Sequence, residues 1–186
     1  MTINEIDQLF INLSDKNDKI RFPSFKKLCE ITEKKVKWIY DKWFLLVEKT
    51  NSNNSFQRSI GLTLLANLAK SDYENRLEKI IDEYLNHFED EKFITARQCI
   101  QNAWKIAIAN KRLTGKIISH LEQSYSENIH HKTHANLIKQ DIIDSLIKIN
   151  KLTGDKKAAT AVQSLIEDES DIKLKKVLQK ILAGQN

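Results

Sequence analysis

Proline and glycine are scarce in this sequence, with one proline and four glycines among 186 residues. An all-β fold needs turn residues roughly every 8–12 positions, so their scarcity favours long helices joined by short connectors. Long apolar runs are also missing. The longest, residues 43–47, is far shorter than the roughly 20 residues of a membrane-spanning helix. The first ten residues contain acids and no basic region, which is untypical of a secretory signal and predicts a cytoplasmic protein.

Cysteines and catalytic motifs are equally sparse. Cys29 and Cys99 are the only cysteines, and both lie in helical patterns without metal-type spacing. They are interpreted as buried thiols of a reducing compartment, with a disulfide or a reactive thiol as the alternatives. The sequence has no glycine-rich phosphate loop, nucleophile elbow or HExxH motif, which favours a non-catalytic protein without a cofactor over an enzyme. The abundance of Lys, Asn and Ile indicates an AT-rich, bacterial genome.

The positive charge is concentrated in one segment. The net charge is +5, and residues 97–139, with seven basic and two acidic residues, account for all of it. Four of the five histidines lie in the same segment. An anionic partner is therefore expected there. The candidate anion-binding residues are Arg97, Lys111, Arg112 and Lys116.

Caps and polar breaks divide the chain into ten predicted helices without a strand. Capping-box patterns occur at residues 2–5 (Thr-x-x-Glu) and 71–74 (Ser-x-x-Glu). Thr114 and Gly115 predict a connector, and Gly154 predicts a helix C-cap.

A spaced pattern recurs along the even-numbered predicted helices. Each copy begins at a basic residue, which we call an anchor, and has mainly apolar residues three, seven and ten positions later. The four anchors are spaced by 37, 39 and 42 residues: Arg21, Arg58, Arg97 and Lys139. The positions that follow them are Ser24, Leu28 and Ile31; Gly61, Leu65 and Leu68; Ile100, Trp104 and Ala107; and Ile142, Leu146 and Ile149. A fifth copy keeps Leu178 and Ile181 but has Asp171 at the anchor position.

This pattern resembles the HEAT repeat family, whose units are helix pairs of roughly 40 residues. The resemblance implies an all-α, right-handed α-solenoid of about five helix pairs, forming one domain over residues 1–186. It also implies that the anchors are mainly structural and bond the neighbouring unit. The turn that carries an acid in HEAT units has only Asn and Ser in the second unit of this chain. Gly61, in mid-helix, predicts the close approach of a neighbouring helix.

The residues five positions after the anchors are expected on the other face of each helix. They are Lys26, Thr63, Asn102 and Asp144, a row of mixed sign that does not suit a channel for a phosphate backbone. The row favours a surface for a protein or peptide, and the resemblance implies a non-catalytic scaffold presenting such a surface on its concave face. The candidate partner-binding residues are Lys26, Thr63, Asn67, Asn102, Lys105 and Asp144.

Nucleic-acid binding through residues 97–139 is the alternative function, and a HEAT-like alkylpurine DNA glycosylase is one form of it. That family pairs aromatic side chains with a catalytic Asp, and Asp41 here lies among Trp38, Tyr40 and Trp43. The two tryptophans are five residues apart, nearly half a helical circle, so core packing is favoured for this group. His130, His131 and His134 could form a metal site, but a solvated loop is favoured because no further ligand completes the set.

Overall fold

The chain folds into helices. The computed structural model describes residues 2–127 and 131–184, and these ranges contain ten α-helices and no strand, as predicted. The helices are α1 (Ile3–Asn12), α2 (Asp18–Ile31), α3 (Ile39–Thr50), α4 (Ser55–Leu68), α5 (Leu77–Asn86), α6 (Phe93–Ala109), α7 (Lys111–Glu127), α8 (Ala135–Thr153), α9 (Lys156–Glu167) and α10 (Ile172–Gly184). No helix in these ranges combines the length and apolar composition needed to cross a bilayer.

Side-chain caps explain several helix ends. The predicted capping box of α1 is confirmed, because Thr2 Oγ1 accepts from the Glu5 N–H and Glu5 Oε2 accepts from the Thr2 N–H. Gly154 ends α8 with φ +70°, the left-handed conformation that glycine adopts without strain. Asp155 then caps α9.

The second predicted capping box is wrong. Ser71 Oγ accepts a hydrogen bond from the distant Val36 N–H instead of capping α5. The Asp72 carboxylate takes that place, accepting from the N–H groups of Arg76 and Leu77 at 3.0 and 2.8 Å. Asp72 prevails because a charged acceptor forms a stronger bond at a helix N-terminus than a hydroxyl.

The predicted connector at residues 114–115 is also wrong, because both residues lie inside α7. Asn110 alone forms the connection, with extended backbone angles, and its Oδ1 accepts from the Arg112 N–H. The Thr114 hydroxyl donates to the Ala107 carbonyl at 2.8 Å, so this residue ties α7 to the end of α6.

The even-numbered helices pack on one another in chain order. Contacts join α2 to α4, α4 to α6, α6 to α8 and α8 to α10. Four odd-numbered helices pack beside this row: α1 on α2, α3 on α4, α7 on α6 and α8, and α9 on α8 and α10. The remaining one, α5, packs on α7. At the centre of the row, every residue from Arg58 to Leu68 of α4 is buried. This packing leaves one face of α6 and α8 open, where the candidate site lies.

The close approach predicted at Gly61 is confirmed. A Cβ atom on this residue would lie 2.9 Å from both the Leu46 carbonyl oxygen and the Thr50 backbone nitrogen. These backbone atoms of α3 can move only if the helix moves. Gly61 therefore fixes how closely α3 approaches α4.

The aromatic group in and before α3 packs internally. Trp43 is buried, and the Trp38 ring lies edge-on against Phe10 with centroids 5.6 Å apart. The Tyr40 hydroxyl donates to Asp72 Oδ1 at 2.9 Å and accepts from the Glu74 N–H. These contacts are those of structural side chains.

The two cysteines are free thiols with different degrees of burial. Cys99 is fully buried, and its Sγ–H donates to the Tyr84 carbonyl at 3.3 Å. Cys29 is half-buried on α2. Burial raises the pKa of Cys29 to about 11 and the pKa of Cys99 well above its ordinary value.

Candidate binding groove

Three of the four anchors bond carboxylates that lie later in the chain. Arg58 makes a buried bidentate pair with Asp90, with Nε–Oδ2 and Nη2–Oδ1 distances of 2.7 and 2.8 Å. Arg97 pairs with Asp141 at 2.5 and 3.0 Å. Both guanidinium groups are therefore paired with carboxylates of the protein itself.

Lys139 completes the set by bonding Glu169 at 2.8 Å. Burial would raise the pKa of Glu169, but hydrogen bonds from Lys139, the Asp171 backbone and the Tyr125 hydroxyl lower that pKa to about 2. Glu169 is therefore ionised at neutral pH and holds the start of α10 against α8.

Arg21 differs from the other anchors. Its guanidinium bonds the Asp18 carboxylate of its own helix and the Asp15 carbonyl, the latter at 2.8 Å. The sequence has no acid in the turn of the second unit. Among the described residues, Arg21 accordingly pairs with Asp18 of its own helix and with no carboxylate later in the chain.

The candidate anion-binding residues do not form one patch. Arg97 lies in the second turn of α6, while the other three candidates begin α7, beyond the far end of α6. At 1.5 Å per residue, α6 separates the two positions by about 20 Å. Arg112 and Lys116 also lie 3.6 and 2.5 Å from acids of α5, Glu78 and Asp82.

The histidine group is only partly described. His130 lies outside the described residues. His131 is buried, with Nε2 2.7 Å from the Asp90 carbonyl oxygen, and Phe93 packs against both His131 and His134. Within residues 2–127 and 131–184, no group of three or more His, Cys, Asp or Glu side chains is placed to hold a metal ion.

Two clefts meet at Trp104 and Lys105, and together we call them the Trp104 groove. One cleft, of about 700 Å³, lies between α6, α8 and α10. The other, of about 570 Å³, lies between α2, α4 and α6. Side chains from five successive even-numbered helices thus line the two clefts.

The structure brings five of the six candidate partner-binding residues together in this groove. Thr63, Asn67 and Lys105 line the smaller cleft, and Asn102, Lys105 and Asp144 line the larger one. Lys26 is exposed on α2 and lines neither.

A hydrogen-bond network fixes the centre of the groove. The Lys105 ammonium donates to Asn67 Oδ1 at 2.7 Å and to Asn102 Oδ1 at 2.6 Å. Asn67 Nδ2 donates in turn to Thr32 Oγ1 at 3.2 Å. Burial lowers the pKa of Lys105, and the nearby ammonium groups of Lys70 and Lys148 lower it further. The groove thus holds a partly desolvated cation in a fixed place.

Trp104 and Lys148 are groove residues that the sequence interpretation missed. Trp104 occupies the seventh position after Arg97, where the pattern predicts core, yet it is half-buried and lines both clefts. The Lys148 ammonium lies 5.5 Å from the indole centroid and 2.5 Å from Asp144 Oδ2. Residue size is the sequence signal that could have identified Trp104, since the corresponding residues on α2, α4 and α8 are leucines.

No protein-family model matches this sequence, and no curated protein matches it. The groove must therefore be interpreted from its own chemistry.

Proposed function

We propose that this protein is a HEAT-like array of about five helix pairs that acts as a non-catalytic scaffold, binding a protein or peptide segment in the Trp104 groove. Two observations support the array: the even-numbered helices pack in chain order, and three anchors reach carboxylates 30 to 44 residues later. Both are expected of units that complete one another's core.

The lining of the groove carries the proposal for a peptide ligand. Amide side chains, Gln101, Asn102 and Gln140, surround one half-exposed indole in the larger cleft. Amides donate to and accept from peptide backbone groups, and a tryptophan in a cleft is a frequent energetic anchor of protein interfaces. The groove combines both requirements on rigid helices.

The same lining argues against a nucleic acid. A phosphate-binding groove needs repeated cations, whereas Asp141 and Asp144 are interspersed here with Lys105 and Lys148. Three of the basic residues of α6 and α7, Arg97, Arg112 and Lys116, already pair with protein carboxylates.

Site-specific crosslinking in the source cells tests the proposal. A photo-crosslinking amino acid at Gln140 should capture a partner protein, while the same group at Lys111 on α7 should not. The crosslink should disappear in Trp104→Ala and persist in the triple variant Lys111→Glu, Arg112→Glu, Lys116→Glu. Circular dichroism would confirm that both variants stay folded.

Two results would refute the proposal. Equal capture from both positions would mean that the groove has no special role. Co-purified nucleic acid that is lost in the triple variant, and whose binding weakens steeply with salt, would indicate the nucleic-acid function instead.

A further inference from the structure

Lys105 is a half-buried cation whose partners are all uncharged. Its hydrogen bonds go to two asparagine amides, and its ammonium lies 5.7 Å from the Trp104 centroid. An ammonium group has three N–H donors, so the third has no acceptor among the described residues. A partly desolvated charge of this kind is stabilised when an anion arrives.

The carboxylates in the larger cleft are already used. Asp141 accepts from Arg97 and, at 2.9 Å, from Gln101, and Asp144 pairs with Lys148. Lys180 of α10 lines the same cleft and makes no ion pair within residues 2–127 and 131–184. The larger cleft therefore keeps two unmatched positive charges, those of Lys105 and Lys180.

The smaller cleft does not cancel this excess. It contains one acid, Glu33, and one further cation, Lys70, whose ammonium donates to the Glu33 carbonyl at 2.9 Å. These two charges offset each other, so Lys105 and Lys180 remain the cations of the Trp104 groove that no acid of its lining pairs with.

The indole of Trp104 lies near two cations. The ammonium groups of Lys105 and Lys148 are 5.7 and 5.5 Å from its centroid. If an apolar side chain of a bound peptide packs on this ring, the residues next to it in the peptide lie close to the ammonium groups of Lys105 and Lys148. A ligand that suits both features has a carboxylate next to an apolar side chain.

We propose that the Trp104 groove selects acidic peptide segments, in which an apolar side chain packs on Trp104 while carboxylates contact Lys105 and Lys180. This inference rests on the proposed function and adds the chemistry of the ligand. A peptide is favoured over a polyanion because the cations are interspersed with Asp141 and Asp144, which would repel a continuous phosphate backbone.

The test uses the full chain and a display library of random peptides of about a dozen residues. Peptides retained by the wild type and lost by Trp104→Ala define groove ligands, and these should be enriched in Asp and Glu. One enriched sequence is then synthesised in three forms: unchanged, with every Asp and Glu replaced by Asn and Gln, and with an amidated C-terminus.

Titration of the synthetic peptides gives the decisive numbers. Lys180→Gln should weaken binding about two- to fivefold, as expected for one solvent-screened ion pair, while Lys111→Gln on α7 should leave it unchanged. Lys180 is exposed, so this variant should fold normally. Lys105→Gln should weaken binding further, and the amide-substituted peptide should bind both lysine variants and the wild type with equal, low affinity. The amidated peptide shows whether the carboxylate comes from side chains or from the chain terminus.

Three outcomes would overturn the inference. Groove ligands without an excess of acids would refute the acidic chemistry while the proposed function stands. The absence of any Trp104-dependent peptide would refute both. Tighter, Lys180-dependent binding of an oligonucleotide would show that the ligand is a nucleic acid.

Discussion

The first helix pair and the middle of the row differ in how they are held. Every residue of α4 from Arg58 to Leu68 is buried, whereas only Ser24 and Leu28 are buried in α2. Arg58 and Arg97 bond carboxylates that lie later in the chain, Asp90 and Asp141, while Arg21 bonds Asp18 of its own helix. The availability of a carboxylate later in the chain, and not the anchor residue itself, therefore decides what an anchor bonds.

Hydrogen bonds that involve no carboxylate take the place of the missing ion pair at the first junction. Gln57 Nε2 donates to the Leu13 carbonyl at 2.8 Å, and the Lys49 ammonium donates to Ser14 Oγ at 3.0 Å. A neutral hydrogen bond contributes about 1 kcal/mol, whereas removing one partner of a buried ion pair costs about 3–5 kcal/mol. A substitution that removes the Arg58–Asp90 pair should consequently cost more stability than one that removes a hydrogen bond of Gln57 or Lys49.

The largest expected effect is at Gly61. Gly61→Leu should lower the free energy of unfolding by about 4 kcal/mol or more, because the new side chain meets backbone atoms of α3 that cannot rotate away. Urea denaturation measures this. Gly115→Ala is the matched control, since Gly115 is exposed in α7 with nothing within 4 Å of an added Cβ. That variant should gain about 0.5–1 kcal/mol, and equal losses in both variants would disprove the close-packing argument.

The next effect separates the two kinds of anchor. Arg58→Met should destabilise the protein by about 3 kcal/mol, because it leaves the Asp90 carboxylate buried without its main partner. Arg21→Met should cost less than about 1 kcal/mol, because Asp18 is largely exposed and solvent screens the pair. Similar losses in thermal denaturation would mean that the two junctions do not differ.

A pH titration tests the last anchor. The pKa of Glu169 falls from 4.5 to about 2 in the folded protein. A depressed acid stabilises the fold above its unfolded pKa and loses that effect as the pH falls through its folded pKa. The stability difference between wild type and Glu169→Gln should therefore be on the order of 2 kcal/mol at pH 7 and shrink between about pH 4.5 and pH 2. A difference that does not change with pH would contradict this role of Glu169.

The smallest expected effect comes from a substitution that would give Arg21 an ion pair comparable to that of Arg58. Ser52 lines the same cleft as Arg21, and its hydroxyl accepts from the Asn54 N–H, a bond that an aspartate can also accept. Ser52→Asp should add about 0.5 kcal/mol by supplying a carboxylate near Arg21. Ser52→Asn keeps the acceptor without the charge and should leave stability unchanged. A gain in both variants would assign the effect to the turn and not to Arg21.

The sequence predicted the helices better than their ends. Periodicity identifies ten helices because burial imposes it, and ten α-helices lie within residues 2–127 and 131–184. The predicted helix ends at residues 71–74 and 114–115 were wrong because the side chains there bond residues of other elements. Ser71 bonds Val36, and Thr114 bonds Ala107.

The groove was predictable in part. The row five positions after the anchors contributes Thr63, Asn102 and Asp144 to it, since helical spacing alone separates one face from the other. Trp104 and Lys180 were missed because their place depends on how α8 packs against α6 and how α10 packs against α8. Such packing between distant segments has no periodic trace in the sequence.

The alkylation rate of the Cys99 thiol would report on opening motions of this protein. Cys99 lies on α6 and is fully buried, and its pKa is strongly raised. An alkylating reagent can therefore react with its thiol only after the interior opens. Cys29, on the less buried α2, should be modified first. The two labelling rates would show how often the first helix of the row and its middle helix open, and their ratio would compare the local stabilities of these two regions using native side chains alone.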